Sequence, residues 1–265
     1  VGTGLAKTAL GFTLKHWTWN NGSSAPAWVY PQGQRDPHMV IWLVCNGVLL
    51  IAAYSLGSFP TGYLLGKGLQ GIDIREYGSQ STGATNVLRI LGKGPGLVTL
   101  VVDILKGAGA IALLRWFYTS SAFLNLAPKT INPAGWGSWM VVLAALMAIL
   151  GHSKSIWLRF TGGKSVATGL GVLLVMSWIV GLAALGIFAV VLSVSRIVSL
   201  SSISAAISLP VLMVLGHQPL AYGLFSLTAS IYVIWRHWPN IQRLWAGTEP
   251  RLGQKSPIST DMTSS

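Results

Sequence analysis

The chain has 265 residues, 52% hydrophobic and only 9% charged, against about 25% charged in an ordinary soluble domain. That balance excludes a soluble globular protein, and the apolar runs lack the residue-by-residue alternation of a β-barrel. The net charge of +12 is scattered between apolar runs, which argues against nucleic acid as a partner and for basic loops facing anionic headgroups on the cytoplasmic side. The fold class expected is all-α: a polytopic integral membrane protein.

Residues 1–38 are rich in Trp, Asn, Gly, Ser and Pro and hold neither a spanning run nor a signal-peptide core. They read as a disordered or non-native N-terminal extension, with Met39 at the start of the first strong span. That span, 39–66, exceeds the ~20 residues a bilayer needs, and Pro60 should kink it or end its regular part. Its lone cysteine, Cys45, is read as packing. A polar segment follows over 67–94. Next come an apolar run at 95–118 carrying Asp103 and Lys106, a soft stretch at 119–135, and a further run at 136–151. The basic segment GHSKSIWLRFTGGKS leads into 166–195, which Arg196 ends. Two more runs, 203–216 and 219–235, precede a basic and then Ser/Thr-rich end.

Placing every basic cluster on one side requires 166–195 to cross twice, as short helices broken near Ser177-Trp178 or Gly181. The result is about seven helices, N-terminus out and C-terminus in. The transmembrane domain is 39–249, with 250–265 a flexible tail.

Four polar clusters fall on the same expected face. The first, GSQSTGATNVLR at 78–89, offers glycines, the hydroxyls of Ser79, Ser81, Thr82 and Thr85, and the amide of Asn86. A helix beginning at Ala84 would present free N–H groups to an anion, with Arg89 as a clamp. The second, FTGGKSVAT, sets Gly162, Gly163 and Lys164 before a helix starting near Ser165, in the manner of a phosphate loop. Leu158 stands where a nucleotide-binding P-loop needs its first glycine, so nucleotide hydrolysis is not expected. In the third, Arg196 precedes Ser199, Ser201 and Ser202. In the fourth, Arg236, His237, Asn240 and Arg243 recur at helical spacing. Asp103 and Lys106, three residues apart on one helix face, either neutralise each other or reach an anion. His152, which opens the second basic segment, is read as a structural histidine at the membrane interface, and His217 is given no role. Cations, glycines and hydroxyls with few free carboxylates describe a site for phosphate-bearing substrates, and six acidic residues in all make a metal site unexpected.

The ordered set GSFPTGYLLG, GIDIREYGSQSTGATNVLRILGKG, DILKG, GH…FTGGKSVATGLG, SRIVSLSSI and WRHWPNIQRLWAGTE, spanning about 51–249, resembles the membrane-bound acyl-phosphate:glycerol-3-phosphate acyltransferases (PlsY). The resemblance implies a seven-helix protein of the cell inner membrane with its active site at the cytoplasmic face. It implies acyl transfer from acyl phosphate to the 1-hydroxyl of glycerol 3-phosphate, giving lysophosphatidate and phosphate, the first acylation of phospholipid synthesis. By that resemblance Ser79, Arg89, His237 and Asn240 are the catalytic candidates. The resemblance makes Gly162, Gly163, Lys164, Ser201 and Ser202 substrate-binding and Glu249 structural; the reading of the residues themselves adds Asn86 and Lys106 as substrate-binding and Asp103 as structural. Members commonly read GSGN where this chain has Gly78-Ser79-Gln80-Ser81, and KGGKG where it has Thr161 to Ser165. The partners expected are acyl phosphate, glycerol 3-phosphate and membrane lipid, with no metal or organic cofactor and a monomeric chain.

Overall fold

The computed structural model describes residues 37–254, so the expectations for residues 1–36 and 255–265 lie outside the described residues. Eleven α-helices follow in order: α1 (Pro37–Ser58), α2 (Thr61–Gln70), α3 (Ala84–Leu91), α4 (Lys93–Thr119), α5 (Ser121–Leu124), α6 (Pro133–Ser153), α7 (Val166–Met176), α8 (Trp178–Ser195), α9 (Val198–Leu215), α10 (Leu220–Arg236) and α11 (Trp238–Trp245). Short 3-10 turns cover Ile74–Glu76 and Ile156–Leu158, and Ser155 and Thr161 form an isolated β-bridge. Among the described residues five stretches are long and apolar enough to cross a membrane: His38–Gln70, Lys93–Thr119, Pro133–Ser153, Trp178–Ser195 and Val198–Leu215. Two apolar helices are shorter, α7 with 11 residues and α10 with 17. The protein is thus an all-helical membrane protein.

Local chemistry places the breaks. Proline has no N–H to continue a helix, and α1 stops at Ser58 just before Phe59-Pro60. The carbonyl of Phe59 instead accepts from Lys106 Nζ at 3.0 Å, so an ammonium on α4 fills the gap between α1 and α2. The expected break in 166–195 falls at Ser177, whose backbone is extended between α7 and α8. Arg115 reaches this break from α4, donating to the Met176 carbonyl at 2.9 Å. Asn132 caps α6 by accepting from the Ala134 N–H, with Pro133 in the first turn.

Three boundaries differ from expectation. Helix α6 starts at Pro133, where a cap forms, rather than at 136. Helix α9 starts at Val198 rather than 203, so the serines at 199, 201 and 202 lie in its first turns. The stretch 119–135 contains α5, whose Phe123 stacks on buried Trp42 at 4.8 Å between ring centroids.

Helices cross here with backbone against backbone. A Cβ on Gly57 would strike the Ala148 carbonyl, and one on Gly151 the Tyr54 carbonyl, which joins α1 to α6. A Cβ on Gly107 or Gly171 would strike the carbonyls of Thr168 or Ile104, which joins α4 to α7. Small residues permit such contacts between membrane helices, where dispersion and not water exclusion drives association.

Candidate active site

A cavity of about 360 Å³ opens among α3, α4 and α6 to α10. One end is polar, with Ser79, Asn86, Arg89, Lys164, Ser202 and His237 on its wall. The other is apolar, between α7, α8, α9 and α10. Of the residues singled out by sequence, Ser79, Asn86, Arg89, Asp103, Gly163's neighbour Lys164, Ser202, His237, Asn240 and Glu249 border this one space.

The first loop is folded around Asn86, which is 1% exposed. Its Oδ1 accepts from the Ser79 N–H at 2.8 Å, and its Nδ2 donates towards the carbonyls of Ile74, Tyr77 and Ser81 at 3.1, 3.1 and 2.9 Å. The amide expected to hold substrate is therefore taken up by the loop itself. Gly78 has φ +58°, and a Cβ there would collide with Asn86 Oδ1, so glycine is required on two counts. The loop delivers Ser79 and the start of α3 to the cavity, and α3 delivers Arg89. Burial draws Arg89 below its ordinary range, opposed by the charge of Glu249.

The second loop differs from the phosphate-loop expectation. Gly163 donates its N–H to the His152 carbonyl at 3.2 Å, and the carbonyls of Gly162 and Gly163 accept from Arg236 at 3.2 and 2.9 Å. Neither glycine has positive φ. What demands them is closeness: a Cβ on Gly162 would meet the His152 carbonyl, and one on Gly163 the His152 ring at Nε2. The paired glycines thus wrap His152 and aim the next residue, Lys164, at the cavity. The His152 ring borders the cavity, with Nδ1 3.6 Å from Asp103 Oδ1.

Lys106, expected to bind substrate, is not among the residues that border the cavity. Its ammonium pairs with Asp103 at 2.8 Å as well as with the Phe59 carbonyl, so the neutralising alternative describes it. Ser201 does not border the cavity either: it is fully buried, and its hydroxyl donates back to the Ile197 carbonyl at 2.9 Å. Ser202 also bonds back, to Val198, yet borders the cavity.

Glu249 organises the remaining corner. It accepts from Ser199 Oγ at 2.7 Å, Asn240 Nδ2 at 2.6 Å and Arg243 Nε at 2.7 Å. Burial opposes its charge, but these bonds together hold its pKa below the usual range. Asn240 hands the chain on, its Oδ1 accepting from Lys164 Nζ. Burial, above all, pulls Lys164 down to about 8, against the attraction of Glu249. His237 is 3% exposed, and its Nδ1 lies 2.8 Å from the Val233 carbonyl, which makes it the N–H donor there. Burial and then the Lys164 charge lower His237 to about 4. The ring is neutral at physiological pH, and Nε2 keeps a free lone pair. The end expected to be flexible begins with a held segment, since the Leu252 N–H bonds the Arg196 carbonyl at 2.6 Å.

Several residues hold the site in ways that sequence reasoning did not assign to them. Arg75 ties the loops together, donating to the Leu158 carbonyl at 3.1 Å and to Thr161 Oγ1 at 2.8 Å. His152 and Arg236 shape the glycines, and Ser165 donates to the Ile149 carbonyl at 2.8 Å. The one available signal was the repetition of Gly151-His152 and Arg236-His237 beside polar stretches.

A family model described as glycerol-3-phosphate acyltransferase matches residues 47–247. A glycerol-3-phosphate acyltransferase of Acaryochloris marina is 76% identical over 85% of this chain and 100% of its own length. One of Trichormus variabilis is 57% identical over the same shares. The crystal structure of PlsY (YgiH), an integral membrane glycerol 3-phosphate acyltransferase in its glycerol 3-phosphate form, superposes with a TM-score of 0.69 at 31% identity. It covers 83% of this chain and 100% of that one. The lysophosphatidic acid form of PlsY gives 0.66 at 32% identity, over 79% and 96%.

Proposed function

The chain belongs to the glycerol-3-phosphate acyltransferase family, and from that premise we propose that it transfers an acyl group from acyl phosphate to the 1-hydroxyl of glycerol 3-phosphate, releasing lysophosphatidate and inorganic phosphate. It is an acyltransferase of phospholipid synthesis embedded in the membrane. The observation that carries the finer reading is a single cavity with cations and hydroxyls at one end and apolar walls at the other. Two anionic groups and one acyl chain are what such a space accommodates.

Acyl phosphate is an activated donor, so the protein's task is to hold two anions together in attack geometry and to screen their charge. Lys164 and Arg89 take the phosphate of glycerol 3-phosphate. Ser79 and Ser202 face the acyl-phosphate group and the developing oxyanion. Asn86, Asn240 and Glu249 act by positioning these groups, and Asp103 with Lys106 by neutral packing. Gly162 and Gly163 act by seating the Lys164 loop.

The 1-hydroxyl oxygen attacks the acyl carbon, and the bond from that carbon to the phosphate oxygen breaks with its electron pair leaving on phosphate. The hydroxyl proton passes to the departing phosphate. Neutral His237 accepts a hydrogen bond from the neighbouring 2-hydroxyl through Nε2 and so orients the glycerol backbone.

We place the polar end on the cytoplasmic face of the inner membrane, with about seven crossings, the N-terminus out and the C-terminus in. The Lys and Arg excess in the segments beside that end supports this orientation. The test is purified protein with acyl phosphate and glycerol 3-phosphate. Lysophosphatidate and phosphate should appear in equal amounts, and product formed only from another acyl donor would overturn the donor assignment.

A further inference from the structure

The apolar limb of the cavity stops at a common level on four helices. Along α10 it runs from His237 to Phe225, about 18 Å at the helical rise. Along α9 it runs from Val198 to Leu209, about 16 Å. Helices α7 and α8 contribute Leu173 and Ala184 at the far end. One turn further on each helix stand Met176, Val180, Met213 and Tyr222, all buried in the hydrophobic core, and none of the four borders the cavity. The limb is therefore closed below by packed side chains. Its walls are kept open by small residues: Ala205, Ala229 and Gly169, where a Cβ would meet nothing within 4 Å.

We infer that Phe225 and Leu209, with Leu173 and Ala184, form the floor of a molecular ruler that sets the longest acyl chain transferred. The inference rests on the reading of this limb as the acyl site. Its depth is about that of one leaflet, half of the ~30 Å hydrocarbon core, so a chain of the length that fills one leaflet lies extended with its terminal methyl against Phe225. A longer chain has to fold back within a packed core or displace buried side chains, and both are costly.

The test offers the purified full chain a mixture of saturated acyl phosphates from dodecanoyl to icosanoyl with glycerol 3-phosphate, and reads the lysophosphatidate products by mass spectrometry. Wild type should favour hexadecanoyl and discriminate against icosanoyl by about tenfold or more, the discrimination expected of a closed apolar pocket. Gly169→Leu, which adds bulk one turn above Leu173, should lower the ratio of hexadecanoyl to dodecanoyl product by about tenfold. Phe225→Ala should raise icosanoyl relative to hexadecanoyl, and Phe225→Leu serves the same purpose should the alanine variant not fold. A change in rank order separates a floor from mere packing, because lost stability lowers all products together. Equal use of icosanoyl and hexadecanoyl by wild type overturns the ruler, as do variants that scale every chain length alike. Wild type that works only with another acyl donor refutes the acyl-phosphate assignment and leaves the ruler to be read with that donor. No product from any donor overturns both.

Discussion

The two loops that frame the polar end of the cavity are held in opposite ways. The first, around 77–83, is closed by Asn86, a side chain from its own short segment, which bonds the backbone at four points. The second, around 161–165, depends on distant elements: His152 from α6, Arg236 at the end of α10, Asn240 from α11, and Arg75 from the neighbourhood of the first loop. A self-contained loop fails or survives through one residue. A loop held from outside can be altered by changes far away in sequence, and repaired by them too.

The sharpest break is at the self-contained loop. Asn86→Ala removes four contacts at once, and at about 1 kcal/mol each this should lower kcat/KM by roughly 10³ in protein that still inserts. Steady-state kinetics in detergent would check this, and an effect below tenfold would show that the loop has other support. Gly163→Ala comes next, at about 10², because its methyl group displaces the His152 ring. Here repair is the measurement: Gly163→Ala combined with His152→Ala should be less impaired than additivity requires. Strict additivity would mean that Gly163 serves something other than the ring.

Lys164→Ala should raise KM for glycerol 3-phosphate by about ten- to hundredfold, the worth of one charge-assisted bond. The sign with pH follows from the buried ammonium, which titrates near 8. Below that value the cation is present, and above it the site loses its charge. Wild-type kcat/KM should therefore fall as pH rises through about 8, and Lys164→Arg should move that fall to higher pH, because guanidinium keeps its proton. A flat profile up to the ordinary lysine range would detach Lys164 from substrate binding. The smallest effect is expected at His237, which borders the cavity. His237→Asn should keep kcat within about tenfold of wild type, short of the ~10²–10⁴ loss of a general base. A near-inactive, folded His237→Asn with unchanged KM would make the imidazole the proton acceptor.

How much of this was legible in the sequence follows the same division. The helix break at Phe59-Pro60, the split at Ser177 and the start of α3 at Ala84 are local consequences of proline, polar residues and glycine, and the chain spells them out. So is the clustering of polar groups on one face. The pair Asp103–Lys106 was readable from its spacing, but not its third partner, the Phe59 carbonyl, because nothing in a helix periodicity says which neighbouring helix is interrupted. Gly162-Gly163 misled for the same reason. Two glycines before a lysine suggest backbone bending round an anion, whereas the space they vacate is occupied by His152. Ser201 and Ser202 are adjacent in sequence and differ only by their turn about the α9 axis, which puts one in the protein interior and the other on the cavity wall. That choice is made by packing.

The glycine crossings of α1 with α6 and of α4 with α7 bear on mechanics. Where backbone lies against backbone there is no layer of side chains to change rotamer, so those seams have little compliance and shear only by losing the contact. They make a stiff frame of four helices. The cavity walls contributed by α8, α9 and α10 lie outside that frame.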